Sequence, residues 1–271
     1  DLVRSRGLGD VYKRQAVAPG YRADLITLTD LPGLKVDRVF HKARLVAREG
    51  KCLFPAPKAP PELTDTVHIR KPLTVESLSL RAERSNLSGK TYPVIEIVPG
   101  QIITRKRLVE VSIDRGMVVP DTEKDILKLV VVERHRASGN VGVGLVKGFG
   151  LKKGALASSI AHDSHNIIAV GISDADILHA IEGIENLGGG LVVSAGGEIT
   201  ASLPLPLAGL LSPEPLETVV ARFEKVEKTA ASLGDLPPAP FSLLSFLALP
   251  VIPELRLTDL GLVDVNEFRL I

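Results

Sequence analysis

Tryptophan is absent, aromatic residues make up 4% of the chain, and there is a single cysteine and a single methionine. A core without aromatic bulk must be built from Leu, Val, Ile and Ala. With 45% hydrophobic residues over 271 positions the chain has enough of them, and its length suggests about two domains. The lone Cys52 excludes an intrachain disulfide and points to a reducing compartment. No charge of one sign dominates: 33 Lys and Arg oppose 32 Asp and Glu, for a net +1. Bulk attraction to nucleic acid or to an acidic partner is therefore not expected, and no nucleic-acid-binding motif is present. Long apolar runs are missing too. The longest, around 243–252, is broken by Pro250, whereas a membrane helix needs about 20 residues. The charged start is not followed by an apolar core, so it does not read as a signal peptide. A cytoplasmic protein that binds neither membrane nor nucleic acid is expected.

What is present falls into four parts. Residues 1–15, DLVRSRGLGDVYKRQ, are basic and aperiodic, and 10–15 resemble translated sequencing-adapter read-through. They are read as a non-native tail, with an ordinary basic tail as the alternative. Residues 16–54 open on a Pro19-Gly20 turn and carry three short β-patterned runs, 23–28, 36–40 and 43–47. Residues 55–64 hold Pro55, Pro57, Pro60 and Pro61 and read as a stiff linker. Residues 65–271 mix strands and helices. Strands are predicted at 94–98, 108–113, 127–133, 141–146 and 167–170, and a hairpin at 191–193 and 198–201. A helix runs from Ser173 or Asp174 to about Leu187, with Ile177, Ile181, Ile184 and Leu187 on one face. A second runs from about Pro215 to Leu233, with Val219, Val220, Phe223, Val226 and Ala230 predicted inward. The fold class is α+β with a mixed sheet, preceded by a small β appendage.

Two polar clusters interrupt this apolar sequence. Glu133 and His135, two apart at a predicted strand end, share a face. They suit a ligand or acid/base pair, or a solvated strand end. The run His162, Asp163, Ser164, His165, Asn166 is denser. Polar groups so close to a core must be hydrogen-bonded or bound to something. His162 and His165 would meet on one helical face or in a turn and are candidate metal ligands, though a metal needs three or four such groups. The same residues would serve a substrate as donors and acceptors, or would form a turn that satisfies its own backbone. The glycines of 142–150 do not have phosphate-loop spacing. They suit close backbone packing, and Lys147 is left free to face a ligand.

Five stretches carry a resemblance: PGYRADL (19–25), ERHRASGNVGVGLVKGFGLKKGALASSIAHDSHNIIAVG (133–171), GGGLVV (188–193), LPLPLAGLLS (203–212) and FLALPVIPELRLTDLGLVDV (246–265). Together they make residues 16–271 similar to the C-terminal part of prokaryotic adenine deaminases, of the amidohydrolase superfamily. The resemblance implies that the β appendage is one part of a composite β domain. It also implies a complete enzyme that hydrolyses adenine to hypoxanthine and ammonia at a manganese or iron centre held in an upstream barrel. The barrel's metal ligands have no counterpart here, and the His-x-Glu and Pro-Cys-x-x-Cys signature of zinc nucleobase deaminases is missing. No catalytic residue is assigned. Glu133, His135, His162, Asp163, His165 and Asn166 are the substrate-site candidates, bordering the active-site mouth or a neighbouring subunit of a homo-oligomer. A binding or oligomerisation module without catalysis is the alternative.

Overall fold

A computed structural model describes residues 12–55, 58–82 and 91–271. The tail reading of residues 1–15 falls, for 1–11, outside the described residues. The chain divides between Lys58 and Ala59 into two compact units.

The first unit is an antiparallel meander of β1 (Leu25–Asp30), β2 (Lys35–His41), β3 (Arg44–Arg48) and β4 (Lys51–Cys52). Asp24 pins its first corner, accepting from the Lys42 backbone N–H at 2.7 Å and lying 3.2 Å from His41 Nδ1. None of its described residues is buried, and Ile26, Leu34 and Val36 are exposed. A small sheet gains its stability by packing one apolar face, and this one has no core of its own.

The second unit is built on an eight-stranded sheet. In chain order its elements are β5 (Thr91–Ile97), β6 (Thr104–Glu110), β7 (Ser112–Asp114), β8 (Met117–Val119), β9 (Ile126–Val132), β10 (Val141–Lys147), β11 (Ala155–Ser158) and β12 (Ile167–Gly171). Then come α1 (Asp174–Asn186), β13 (Gly190–Ala195), β14 (Glu198–Pro204), α2 (Leu216–Ala231), α3 (Pro240–Phe246), β15 (Leu255–Thr258), β16 (Gly261–Asp264) and β17 (Arg269–Leu270). The sheet order is β14-β13-β11-β12-β9-β10-β5-β6. The β10–β5 pair is parallel and the others are antiparallel, so the sheet is mixed.

Alternation of side chains across the pleat divides the core in two. From β9, Leu127, Leu129 and Val131 enter one cluster, Val130 and Val132 the other. The second face is covered by α1 through Ile177, Ala180, Ile181 and Ile184, all fully buried. Ser173 caps that helix, its hydroxyl accepting from the Asp176 N–H. Lys128 is buried on the central strand and is paired with Asp174 in the first turn of α1. The opposite face is covered by α2, α3 and the β15–β16 hairpin. No helix among the described residues is long and apolar enough to cross a membrane.

Three expectations need correction. In α2, Val226 and Ala230 are buried, but Val220 and Phe223 are 43% and 42% exposed. The inward stripe is narrower than the pattern of apolar residues because α2 lies against the sheet on one side only. The predicted strand 108–113 is two strands, β6 and β7, split at the buried Val111. The predicted strand 127–133 stops at Val132, so Glu133 lies beyond it.

Candidate functional site

Strand register brings the two polar clusters together. Val132, the last residue of β9, pairs with Val141 at the start of β10 and with Ile167 at the start of β12. Residues 133–140 and the turn ending at Asn166 therefore emerge from one end of the sheet. Gly142 brings a third segment there. A Cβ at that position would stand 1.9 Å from the Thr258 carbonyl oxygen. Only a glycine lets the β15–β16 hairpin lie so close to β10, and the turn of that hairpin carries Asp259. The glycines of β10 thus serve backbone approach, and Lys147 faces Glu96 at 3.7 Å.

Glu133 does not act as an open acid or base. Its carboxylate accepts backbone N–H groups from His135 at 2.5 Å, Arg136 at 2.8 Å and Ser138 at 2.9 Å. Burial alone would push its pKa up. The N–H groups of Ser138, Arg136 and His135 together outweigh burial and hold the carboxyl below its usual range. The residue is an ionised cap that shapes the turn. The expectation that Glu133 and His135 point the same way from a strand therefore fails, because both lie beyond the strand and Glu133 folds back on the turn. His135 is exposed, and its Nε2–H donates to the Ser164 carbonyl at 2.7 Å, joining the first turn to the second.

In the second turn, His165 adopts a left-handed backbone (φ 50°). Its Nδ1 accepts from the Ala161 N–H at 3.3 Å, so the ring proton sits on Nε2. Burial lowers its pKa, and the neighbouring His162 and Arg134 lower it further. The His162 and His165 ring centroids are 5.7 Å apart, and the His162 ring packs on Phe246 at 4.9 Å. Asp163 is exposed. Among the described residues no group of three or more His, Cys, Asp and Glu side chains could hold a metal ion. No third His, Cys, Asp or Glu among the described residues thus joins His162 and His165 to complete a metal-ligand set.

The six candidates are split between two places. Glu133, His135 and Asn166 line an open bowl of about 400 Å³, together with Asn140 and Asp259. His162, Asp163 and His165 are not among the residues that line it. Two residues that pattern reasoning passed over organise the site. Arg134 is 1% exposed and donates to three main-chain carbonyls: His165 at 2.5 Å, Thr66 at 3.0 Å and Ala208 at 3.0 Å. Asp259 accepts the side-chain amides of Asn140 at 2.9 Å and Asn166 at 3.2 Å. Arg134 was legible as a charge that continues a buried strand. Asp259 carried no such signal, being 93 residues from Asn166.

Both carboxylate oxygens of Glu133 accept backbone N–H groups, and His135 reaches the carbonyl of Ser164, not its hydroxyl. No serine–histidine pair of the kind that activates a nucleophile is assembled among the lining residues.

Residues 101–269 match the family model described as the adenine deaminase C-terminal domain. The chain is 54% identical to "Adenine deaminase" of Dehalococcoides mccartyi over 257 residues, covering 94% of this chain and 44% of that protein. It is 48% identical over 255 residues to "Adenine deaminase" of Methanothrix thermoacetophila, covering 93% and 43%. Against "Adenine deaminase 2" of Carboxydothermus hydrogenoformans it is 46% identical over 263 residues, covering 96% and 45%. The chain thus spans less than half the length of these curated relatives, and it belongs to the adenine deaminase C-terminal domain family.

Proposed function

We propose that this chain is the C-terminal part of an adenine deaminase and that the complete protein hydrolyses adenine to hypoxanthine and ammonia. The observation that carries this reading is 54% identity over 94% of the chain to a protein named adenine deaminase. The described residues lack a metal-ligand set, so the manganese or iron of the reaction would be held by residues outside them. The domain's part is to bind and orient. The turns at 133–140 and 162–166 would border the active-site mouth, where the Glu133-capped turn and the amides of Asn140 and Asn166 offer fixed donors and acceptors. A cytoplasmic location fits the lone Cys52, and self-association of the complete protein is compatible with an accessory domain.

The β1–β4 sheet, none of whose described residues is buried, supports the same reading, since further chain would complete it in a composite β domain. The test is hypoxanthine and ammonia production from adenine by the complete gene product, supplied with manganese or iron. Stoichiometric formation of both is expected. A well-folded, metal-loaded complete protein that forms neither would refute the reading.

A further inference from the structure

Asp259 sits where the bowl has acceptors to spare. Each of its carboxylate oxygens takes one amide N–H: Oδ2 from Asn140 and Oδ1 from Asn166. A carboxylate offers about four lone-pair sites, so acceptor capacity is left on both oxygens. Asn166 is 4% exposed, and with its Nδ2 turned to Asp259, its Oδ1 has no hydrogen-bond partner among the described residues. The reverse amide orientation would set oxygen against oxygen. An acceptor buried without a donor costs about 1–3 kcal/mol, and Asn166 lines the bowl beside Asp259. In the wall of the bowl, beside donors such as Arg136, a carboxylate with spare acceptor capacity thus stands next to an unpartnered amide oxygen from a distant part of the chain.

We infer that Asp259, with Asn166, recognises an amino-bearing nitrogen heterocycle of the cyclic amidine class, accepting the hydrogens of its exocyclic amino group. Asp259 is then a specificity-determining residue rather than a catalytic one. This rests on the adenine reading above. Adenine and purine differ by that amino group alone, so the acceptors of Asp259 and Asn166 distinguish them. The hydrogen-bonded frame also holds the carboxylate in place before the ligand arrives, since Asn140 and Asn166 immediately precede β10 and β12.

The test is equilibrium binding of adenine and of purine to the complete gene product, with and without Asp259→Asn. That change keeps the side chain's shape but replaces an acceptor oxygen by a donor. Adenine affinity should fall about 10-fold or more while purine affinity changes less than about 3-fold, the asymmetry expected when a polar recognition group is lost. A second variant, Asn166→Ser, removes the unpartnered oxygen and should give the same selective loss, which keeps the idea testable if Asp259→Asn does not fold. Equal losses for both ligands would mean a structural role and overturn the inference, as would no loss for either. Binding is measured apart from turnover. Selective loss in a protein that does not deaminate adenine would sink the proposed activity alone, and full deamination with unaltered selectivity would sink this inference alone.

Discussion

Arg134 Nε donates to the main-chain carbonyl of His165 at 2.5 Å, and this bond ties the first polar turn to the second. The other two guanidinium nitrogens hold Thr66 and Ala208. One buried side chain therefore fixes three segments that lie 31, 68 and 74 residues away. Gly209 permits this, since a Cβ there would stand 2.8 Å from the guanidinium.

Replacing Arg134 with Met keeps the apolar stem but leaves three partly buried carbonyls without that donor. At roughly 1–3 kcal/mol for each unsatisfied group, partly relieved by water entry, a loss of about 2–4 kcal/mol is expected. The exposed Arg136→Ala should change stability by less than about 0.5 kcal/mol. Urea unfolding of both variants, compared at constant slope, checks the contrast. Equal midpoints would show that Arg134 is not the tie described.

His165 should contribute a pH dependence of defined sign. Burial first, then the charges of His162 and Arg134, lowers its folded pKa below the reference 6.5. The unfolded chain therefore binds the proton more readily than the folded one. Stability from this residue is fully present above pH 6.5 and is lost as pH falls from there through the folded pKa. His165→Asn, which tolerates the left-handed backbone, should flatten that part of the stability profile. Imidazole NMR titration reads the same residue directly, and a midpoint above that of a free histidine would reverse the sign.

Gly142 and Gly144 should respond differently to the same change. A methyl at 142 meets the Thr258 backbone oxygen at 1.9 Å, while at 144 it meets the flexible Leu262 and Leu257 side chains at 3.2 and 3.3 Å. Gly142→Ala should lift the β15–β16 hairpin and cost about 1–3 kcal/mol, the usual range for overpacking. Gly144→Ala should be milder. Side-chain amide NMR signals of Asn140 and Asn166 should move in the first variant, because Asp259 travels with the hairpin. If the two variants behave alike, the close approach at Gly142 is not what seats Asp259.

Much of this fold was legible because its signals are local. The apolar run of β9 is buried throughout, as a central strand covered on both faces should be, and the Ile177, Ile181, Ile184 spacing of α1 follows from period 3.6 and matches the burial found. The short strand β11 (Ala155–Ser158) was hidden, since Ala and Ser carry little strand signal and its burial comes from neighbours on both sides. The buried stripe of α2 is narrower than its apolar spacing, which does not say how much of a helix its sheet will cover. The candidate site was half legible. Residues 133–135 and 162–166 stood out as polar groups in apolar sequence. Their division into bowl, cap and ring pair depends on which backbone groups Glu133 meets, and Asp259 enters only through the approach of a distant hairpin to a glycine.

The division of labour between this chain and the rest of the protein is most directly tested by assaying the purified 271-residue chain for hypoxanthine production from adenine, with manganese or iron added, beside the complete gene product. Lowering the pKa of a bound water toward about 7 needs a preorganised ligand set, and the described residues supply none. Turnover by the complete protein and none by this chain is the predicted result. Metal-dependent turnover by this chain that disappears in His162→Ala or His165→Ala would contradict it, and would place the reaction centre in the turn at 162–166.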